Sequence, residues 1–347
     1  MADPTPAPEL DLPLADIQAA ATRLAGHLRT TPMLGSRTAA ARAADALGVR
    51  LSDGGWGDGA PRLLVKAEHL QVTGSFKPRG ALNRAFALTA EERARGLIAV
   101  SAGNHAQAVA YAGRLVGAPV TVVMPAFASR AKAAATDGYG AEVILHGERM
   151  GDTFARMEEL RDRHGLVLLH PFDDPVVIAG AGTVGLEIVA QAPDVDVVVV
   201  GAGGGGLLGG VAAAVTRLRP GARVYGVEPR DSAALSVGLA AGAPTPVEPR
   251  SIADGLGAPY AGSWTIALAR RHVTEVVLVE EAGIAAGMRF ALERMKQLLE
   301  PAGAAALGAL LAGRIPVRDG ETVCVVASGG NVDLDRLPAL LALATPA

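Results

Sequence analysis

Short apolar runs rich in valine alternate along this chain with longer, alanine-rich stretches. The runs at 97–100, 120–124 and 142–145 read as strands. Each is followed by a helical pattern, from His105 to about Val116, over 129–139 and over 152–164. Later runs at 195–200, 223–227, 275–279 and 322–327 read as further strands with helices between them. These strands are continuously apolar, so both of their faces are expected to be covered. Strands separated by helices predict an α/β protein with mostly parallel sheets. The uncharged stretch 197–215 is long enough to suggest a membrane span. Its centre is mostly glycine and Asp194 and Asp196 stand at its edge, so it reads as a strand, a glycine turn and a helix. No membrane association is expected. Residues 1–13 are acidic and proline-rich, lack the pattern of a leader peptide, and are expected to form a mobile tail.

With 347 residues, half of them hydrophobic, the chain can bury a large core and form more than one domain. The net charge of −3, with no basic run interleaved with aromatics, argues against a nucleic-acid partner. Cys324 is the single cysteine, which rules out an intrachain disulfide and a cysteine-type zinc site and fits a reducing cytoplasm. The stretch 51–61, rich in Gly and Asp and containing Trp56, reads as a surface insertion without a role.

Four motifs carry chemistry. Thr73-Gly74-Ser75-Phe76-Lys77-Pro78-Arg79-Gly80-Ala81 sets one lysine between an aromatic residue and a proline at the start of a helix. An amine held there can form a Schiff base with a carbonyl. Ser101-Ala102-Gly103-Asn104-His105 follows a strand and opens a helix, where free backbone N–H groups collect ligands. Gly201-Ala202-Gly203-Gly204-Gly205-Gly206-Leu207 leads from a strand into a helix and can surround a phosphate. It also matches G-x-G-x-x-G at Gly201, Gly203 and Gly206, with Glu228 where a dinucleotide fold places its ribose-binding acid. Taken alone it supports an NAD enzyme as well as a phosphate cup. Ser328-Gly329-Gly330-Asn331 follows the last strand and offers a neutral hydroxyl. Glu300-Pro301-Ala302-Gly303 adds a carboxylate at a helix start.

Together these motifs, with His170-Pro171-Phe172-Asp173-Asp174-Pro175 and Ile252-Ala253-Asp254-Gly255 as further landmarks, resemble the threonine/serine dehydratase and serine racemase family. The resemblance runs from about Ile17 to the end. It implies a pyridoxal 5'-phosphate (PLP) enzyme of fold type II, tryptophan synthase β-like, with two doubly wound domains and the cofactor in the cleft between them. Residues 1–90 and 175–347 would form the large domain and 91–174 the small one. Lys77 would be the Schiff-base lysine and the Cα proton acceptor, with Phe76 against the cofactor ring and Asn104 on its hydroxyl. Gly203, Gly204, Gly205, Gly206 and Leu207 would hold the phosphate, and Ser328 would face the pyridine nitrogen. Ser101, Ala102, Asn104 and His105 would surround the substrate carboxylate, with Glu300 and Gly255 near the ring or substrate. The implied reaction is α,β-elimination of L-threonine or L-serine in a homodimer or homotetramer. Ala102 stands where the racemases carry a second acid/base serine, which favours elimination over racemisation. Glu228 matches a racemase cation ligand, but Asp231 is the only nearby second carboxylate, so no metal is expected. The alternatives are a 3-hydroxyaspartate ammonia-lyase, an amino-acid racemase, an NAD-dependent oxidoreductase and a non-catalytic amino-acid sensor.

Overall fold

A computed structural model of the chain describes residues 10–51, 62–128 and 130–344. Most of the proposed insertion, from 52 to 61, lies outside the described residues. Among the described residues ten strands form two sheets. They are β1 (Met33–Gly35), β2 (Leu63–Lys66), β3 (Leu97–Val100), β4 (Val120–Met124), β5 (Glu142–Leu145), β6 (Val167–Leu168), β7 (Val197–Gly201), β8 (Arg223–Pro229), β9 (Glu275–Val279) and β10 (Val323–Val326). The larger sheet has the order β1-β2-β10-β7-β8-β9 and the smaller the order β5-β4-β3-β6. Only the β1–β2 pair is antiparallel. The strands read from apolar runs recur within two residues of their expected ends. The three that the pattern missed, β1, β2 and β6, are only two to four residues long.

The apolar runs are continuous because the large sheet buries both faces. Val65, Val197, Val199, Val323 and Val325 face one core, against helices Arg37–Leu47, Glu281–Phe290 and Pro301–Leu311. Their neighbours Leu64, Val198, Val200, Cys324 and Val326 face another, against helices Pro175–Gln191, Gly206–Leu218 and Ser263–His272. Successive side chains point to opposite faces, so a strand between two helical layers needs an apolar residue at every position. In the small sheet Leu97, Ala99 and Val122 pack with Ala81, Leu82 and Ala85 of helix Lys77–Phe86, while Ile98, Val100 and Val123 meet Met157 and Leu160.

The predicted mobile tail is too long. Leu12 is buried at 2% exposure in a core formed with Ile17, Ile178 and Leu268. Asp11 accepts two hydrogen bonds from Arg217 Nη2, at 2.6 and 2.8 Å. The chain is therefore anchored from Asp11 onward, and part of its acidic character is held in an ion pair.

Strand order places the chemistry. β10, last in sequence, lies between β2 and β7, so the loops leaving β10 and β7 emerge side by side. Three helices then meet at backbone contact: Lys77–Phe86, Pro175–Gln191 and Gly206–Leu218. A Cβ at Gly180 would lie 2.3 Å from the Arg79 carbonyl oxygen, and one at Gly80 2.8 Å from that of Val177. A Cβ at Gly210 would lie 2.5 Å from the Ile178 carbonyl oxygen, and one at Gly185 2.9 Å from that of Val211. Gly180→Ala should therefore destabilise the fold by about 1–3 kcal/mol through overpacking. Denaturant or thermal unfolding checks this; an unchanged midpoint would show that the two helices are free to separate.

Candidate active site

Lys77 opens its helix with Pro78 next to it, in the first turn, where the N–H that proline lacks would have no partner within the helix. The segment ahead of it is tied to the loop after β10: Ser75 pairs with Gly329, and Phe76 N donates to the Ser328 carbonyl at 3.0 Å. The Lys77 amine lies 5.1 Å from the centroid of the Phe76 ring and donates to the Pro171 carbonyl at 2.9 Å. Burial pushes its pKa from 10.5 down to about 8, against the opposing pull of Glu300.

Glycines form the opposite wall. Gly205 has φ +89°, the left-handed conformation that lets β7 turn sharply into helix Gly206–Leu218. A Cβ on Gly203 would lie 2.9 Å from Leu256 Cα, and one on Gly204 2.3 Å from the Phe172 ring. The helix N-terminus thus points bare N–H groups outward, with its dipole favouring an anion. Phe76, Lys77, His105, Phe172, Gly206 and Leu207 line one cavity. The amine therefore lies against the start of the helix that the glycine turn opens, and a buried amine beside a helix N-terminus is chemistry that fits PLP.

The other predicted residues gather at the same place. Asn104 Nδ2 donates to Glu300 Oε1 at 2.5 Å, and a Cβ on Gly255 would lie 3.9 Å from the same oxygen. Burial and the charge of Asp254 push Glu300 up to about 8, partly offset by Asn104, Lys132 and Lys77. The Ser328 hydroxyl is buried and donates to the Ala302 carbonyl at 3.5 Å. Ser101 Oγ accepts from Gly103 N at 3.1 Å, shaping the turn that presents Ala102. His105 Nε2 donates to the Leu169 carbonyl at 2.8 Å, and burial pushes its pKa down to about 3, so it stays neutral.

Glu228 is not in this group. It is fully buried, and its carboxylate accepts from Leu235 N at 2.7 Å, Ser236 N at 2.9 Å and Ser236 Oγ at 2.7 Å. Those bonds occupy the group that a ribose would need, so the dinucleotide reading of the glycine fingerprint fails. Among the described residues no cluster of three His, Cys, Asp or Glu could hold a metal ion.

Pro171 and Phe172, to which the family resemblance assigns no role, also border the Lys77 amine. They form a strap fixed at one end by two caps. Asp173 accepts from Ser263 N and Trp264 N, at the start of helix Ser263–His272, and Asp174 accepts from Val176 N and Val177 N. The adjacent aspartates were the available signal, since Asp favours helix N-caps. Also unassigned was Lys132, which reaches Asp254 at 2.8 Å from the helix following β4.

Residues 49–329 match the family described as pyridoxal-phosphate dependent enzymes, and the chain belongs to that family, with the fold type II arrangement. Its place within the family is the threonine/serine dehydratase and serine racemase group. The L-threonine ammonia-lyase of Thermotoga maritima is 42% identical over 280 residues, 80% of this chain and 69% of that protein. A solved threonine deaminase from T.th. is 40% identical with a TM-score of 0.80, covering 92% of this chain and 99% of that one. Maize serine racemase is 32% identical with a TM-score of 0.83, covering 94% and 96%.

Attack on an aldehyde needs the neutral amine. The rate of PLP capture by the cofactor-free protein should rise with pH and level off above about 8, the value to which Lys77 is lowered. Stopped-flow absorbance measures it. A rate still climbing between pH 9 and 10 would mean that the amine titrates like a solvated lysine.

Proposed function

We propose that this chain is a PLP-dependent ammonia-lyase that converts L-threonine or L-serine to the 2-oxo acid and ammonia. The observation that carries this reading is the buried Lys77 amine set against the start of the glycine-turn helix, where Lys77, Gly206 and Leu207 line one cavity. Similarity to threonine ammonia-lyases and deaminases supports the substrate class.

Bound PLP supplies an electron sink for the pair left when Cα gives up its proton. Lys77 would hold the cofactor's aldehyde carbon and, once displaced by the substrate amine, would take the Cα proton. An amine lowered to about 8 is a base poised near working pH. Phe76 would lie against the ring and Asn104 would bond its hydroxyl. Gly203, Gly204, Gly205, Gly206 and Leu207 would hold the phosphate through N–H groups, with Gly255 and Glu300 closing the side near the ring. Ser328 would offer the pyridine nitrogen a neutral hydroxyl, which does not keep that nitrogen protonated. A ring left unprotonated would draw electrons less strongly, which would favour loss of the β-hydroxyl over racemisation. Ser101, Ala102, Asn104 and His105 would receive the substrate carboxylate, chiefly through the N–H groups at the start of helix Asn104–Val116.

We assign 1–90 and 175–347 to a large cofactor-binding domain and 91–174 to a small domain carrying the carboxylate loop. The two separate sheets support this division, with helix Lys77–Phe86 packed against the small-sheet core as well. A cytoplasmic homodimer or homotetramer is the expected form. Among the described residues no helix is long and apolar enough to cross a membrane.

Lys77→Ala removes both the anchor and the base. It should abolish borohydride fixation of PLP to the chain and lower turnover by at least about a thousandfold. Mass spectrometry of the reduced protein and 2-oxo acid release from L-threonine test this, and fixation at wild-type levels would refute the assignment.

The second test is stereochemical. Ala102 would stand on the face opposite Lys77, where reprotonation would then have no donor. L-Serine in deuterium oxide should therefore give pyruvate and little D-serine, and Ala102→Ser should raise the D-serine fraction. Chiral chromatography decides it: abundant D-serine from the unaltered enzyme would mean that another group supplies the second proton.

A further inference from the structure

Asn331, the last residue of the Ser-Gly-Gly-Asn motif, has no task in the scheme above. Its Nδ2 donates to the Thr73 carbonyl at 2.7 Å and to Asn104 Oδ1 at 2.8 Å. A carbonyl can only accept, so the face of Asn331 turned toward Thr73 has to be its NH₂. That same NH₂ faces Asn104, which must answer with its oxygen. The NH₂ of Asn104 is thereby turned the other way, onto Glu300 Oε1 at 2.5 Å. One main-chain carbonyl sets the direction of the whole relay. Without it the two ends of the Asn104 amide, nearly equal in size, could exchange places.

The carbonyl that sets the direction is itself held in an unusual place. Thr73 has φ 63° and Gly74 φ 74°, two left-handed residues in succession just ahead of Lys77. A β-branched residue adopts that conformation only where its surroundings impose it. Here Gly330 N donates to the Gly74 carbonyl at 2.9 Å, and a Cβ on Gly74 would lie 2.5 Å from Asn331 Oδ1. The turn is closed around the Asn331 side chain.

We infer that Asn331 is a positioning residue that makes Asn104 a hydrogen-bond donor toward the cofactor's ring hydroxyl. The inference rests on the PLP reading above and adds a polarity to the role of Asn104. The Asn104 NH₂ has two hydrogens; Glu300 takes one, and the other remains for an oxygen in the cleft. A donor at that point favours the ionised ring oxygen, whereas an amide carbonyl would repel it.

The test is a double-mutant cycle read by PLP titration of the cofactor-free protein. Asn331→Ala should weaken PLP binding about tenfold, the effect of one well-made hydrogen bond. In an Asn104→Ala background it should change binding by less than about twofold, because no amide is left to orient. Equal losses in both backgrounds would place its effect in the Thr73 turn alone, and no loss in either would remove the role; each result overturns the inference. Asn331→Asp, whose folding circular dichroism checks, gives a second reading. It sets an oxygen against both the Thr73 carbonyl and Asn104 Oδ1, and should turn the Asn104 amide round. The pH midpoint of the bound cofactor's visible absorbance should then move up, and an unmoved midpoint overturns the inference. If the unaltered protein takes up no PLP, the cofactor reading fails first, before any variant is compared, and this inference falls with it.

Discussion

The site depends on one separation, that between the Lys77 amine and the glycine cup. Each stands at the N-terminus of a helix, and both helices approach Pro175–Gln191 to backbone contact at glycines. Gly180 meets the Arg79 carbonyl, and Gly210 meets the Ile178 carbonyl. Contacts of this kind have no rotamers with which to adjust, so spacing is set by atomic radii in a close-packed interior. The strap of Pro171 and Phe172 enters the same helix through its Asp174 cap. One helix therefore indexes the lysine, the glycine turn and the segment between them.

Charge reinforces that geometry two residues from the Lys77 amine. Arg79 bonds Glu68 through Nε and Nη2, at 2.7 and 2.9 Å, and reaches Glu187 at 2.7 Å. Glu187 also accepts from the fully buried Lys66 at 2.5 Å. Burial works against the Arg79 charge, but the two carboxylates outweigh it and hold its pKa above the ordinary arginine value. Removing one member of such a network leaves an uncompensated charge and costs about 3–5 kcal/mol. Lys77, by contrast, hydrogen-bonds a neutral carbonyl. Two neighbouring cations on one helix thus meet opposite environments: carboxylates keep Arg79 charged as structure, and burial leaves Lys77 easy to deprotonate.

The same contrast separates two buried carboxylates. Burial raises both, Glu228 to about 7 and Glu300 to about 8. Glu228 spends its oxygens on the backbone and hydroxyl of residues 235–236, closing the turn after β8. Glu300 accepts from the side chain of Asn104 and lies near Gly255 at the cleft. The hydrogen-bond partner, rather than acidity, sets the two apart: Glu228 is tied within its own turn, and Glu300 to a side chain of a distant helix.

By itself, the sequence determined whatever is local or repeats with a period. Continuous valine runs required sheets covered on both sides, and the glycine run required a turn into a helix. The order of the motifs, with Lys77 before a proline, carried the family, the cofactor and the site residues proposed here. Tertiary structure alone decided what depends on contacts between distant segments. The acidic tail proved anchored from Asp11 because Arg217, 206 residues away, pairs with it. Glu228 kept the spacing of a ribose ligand but lost the role to hydrogen bonds that only the folded turn supplies. Asn331 looked like part of a glycine turn, and its hold on Asn104 spans 227 residues. Periodicity reports the environment of a residue's own element, because neighbours in sequence share it. The direction of a hydrogen bond between remote side chains is set only when strand order brings their loops together.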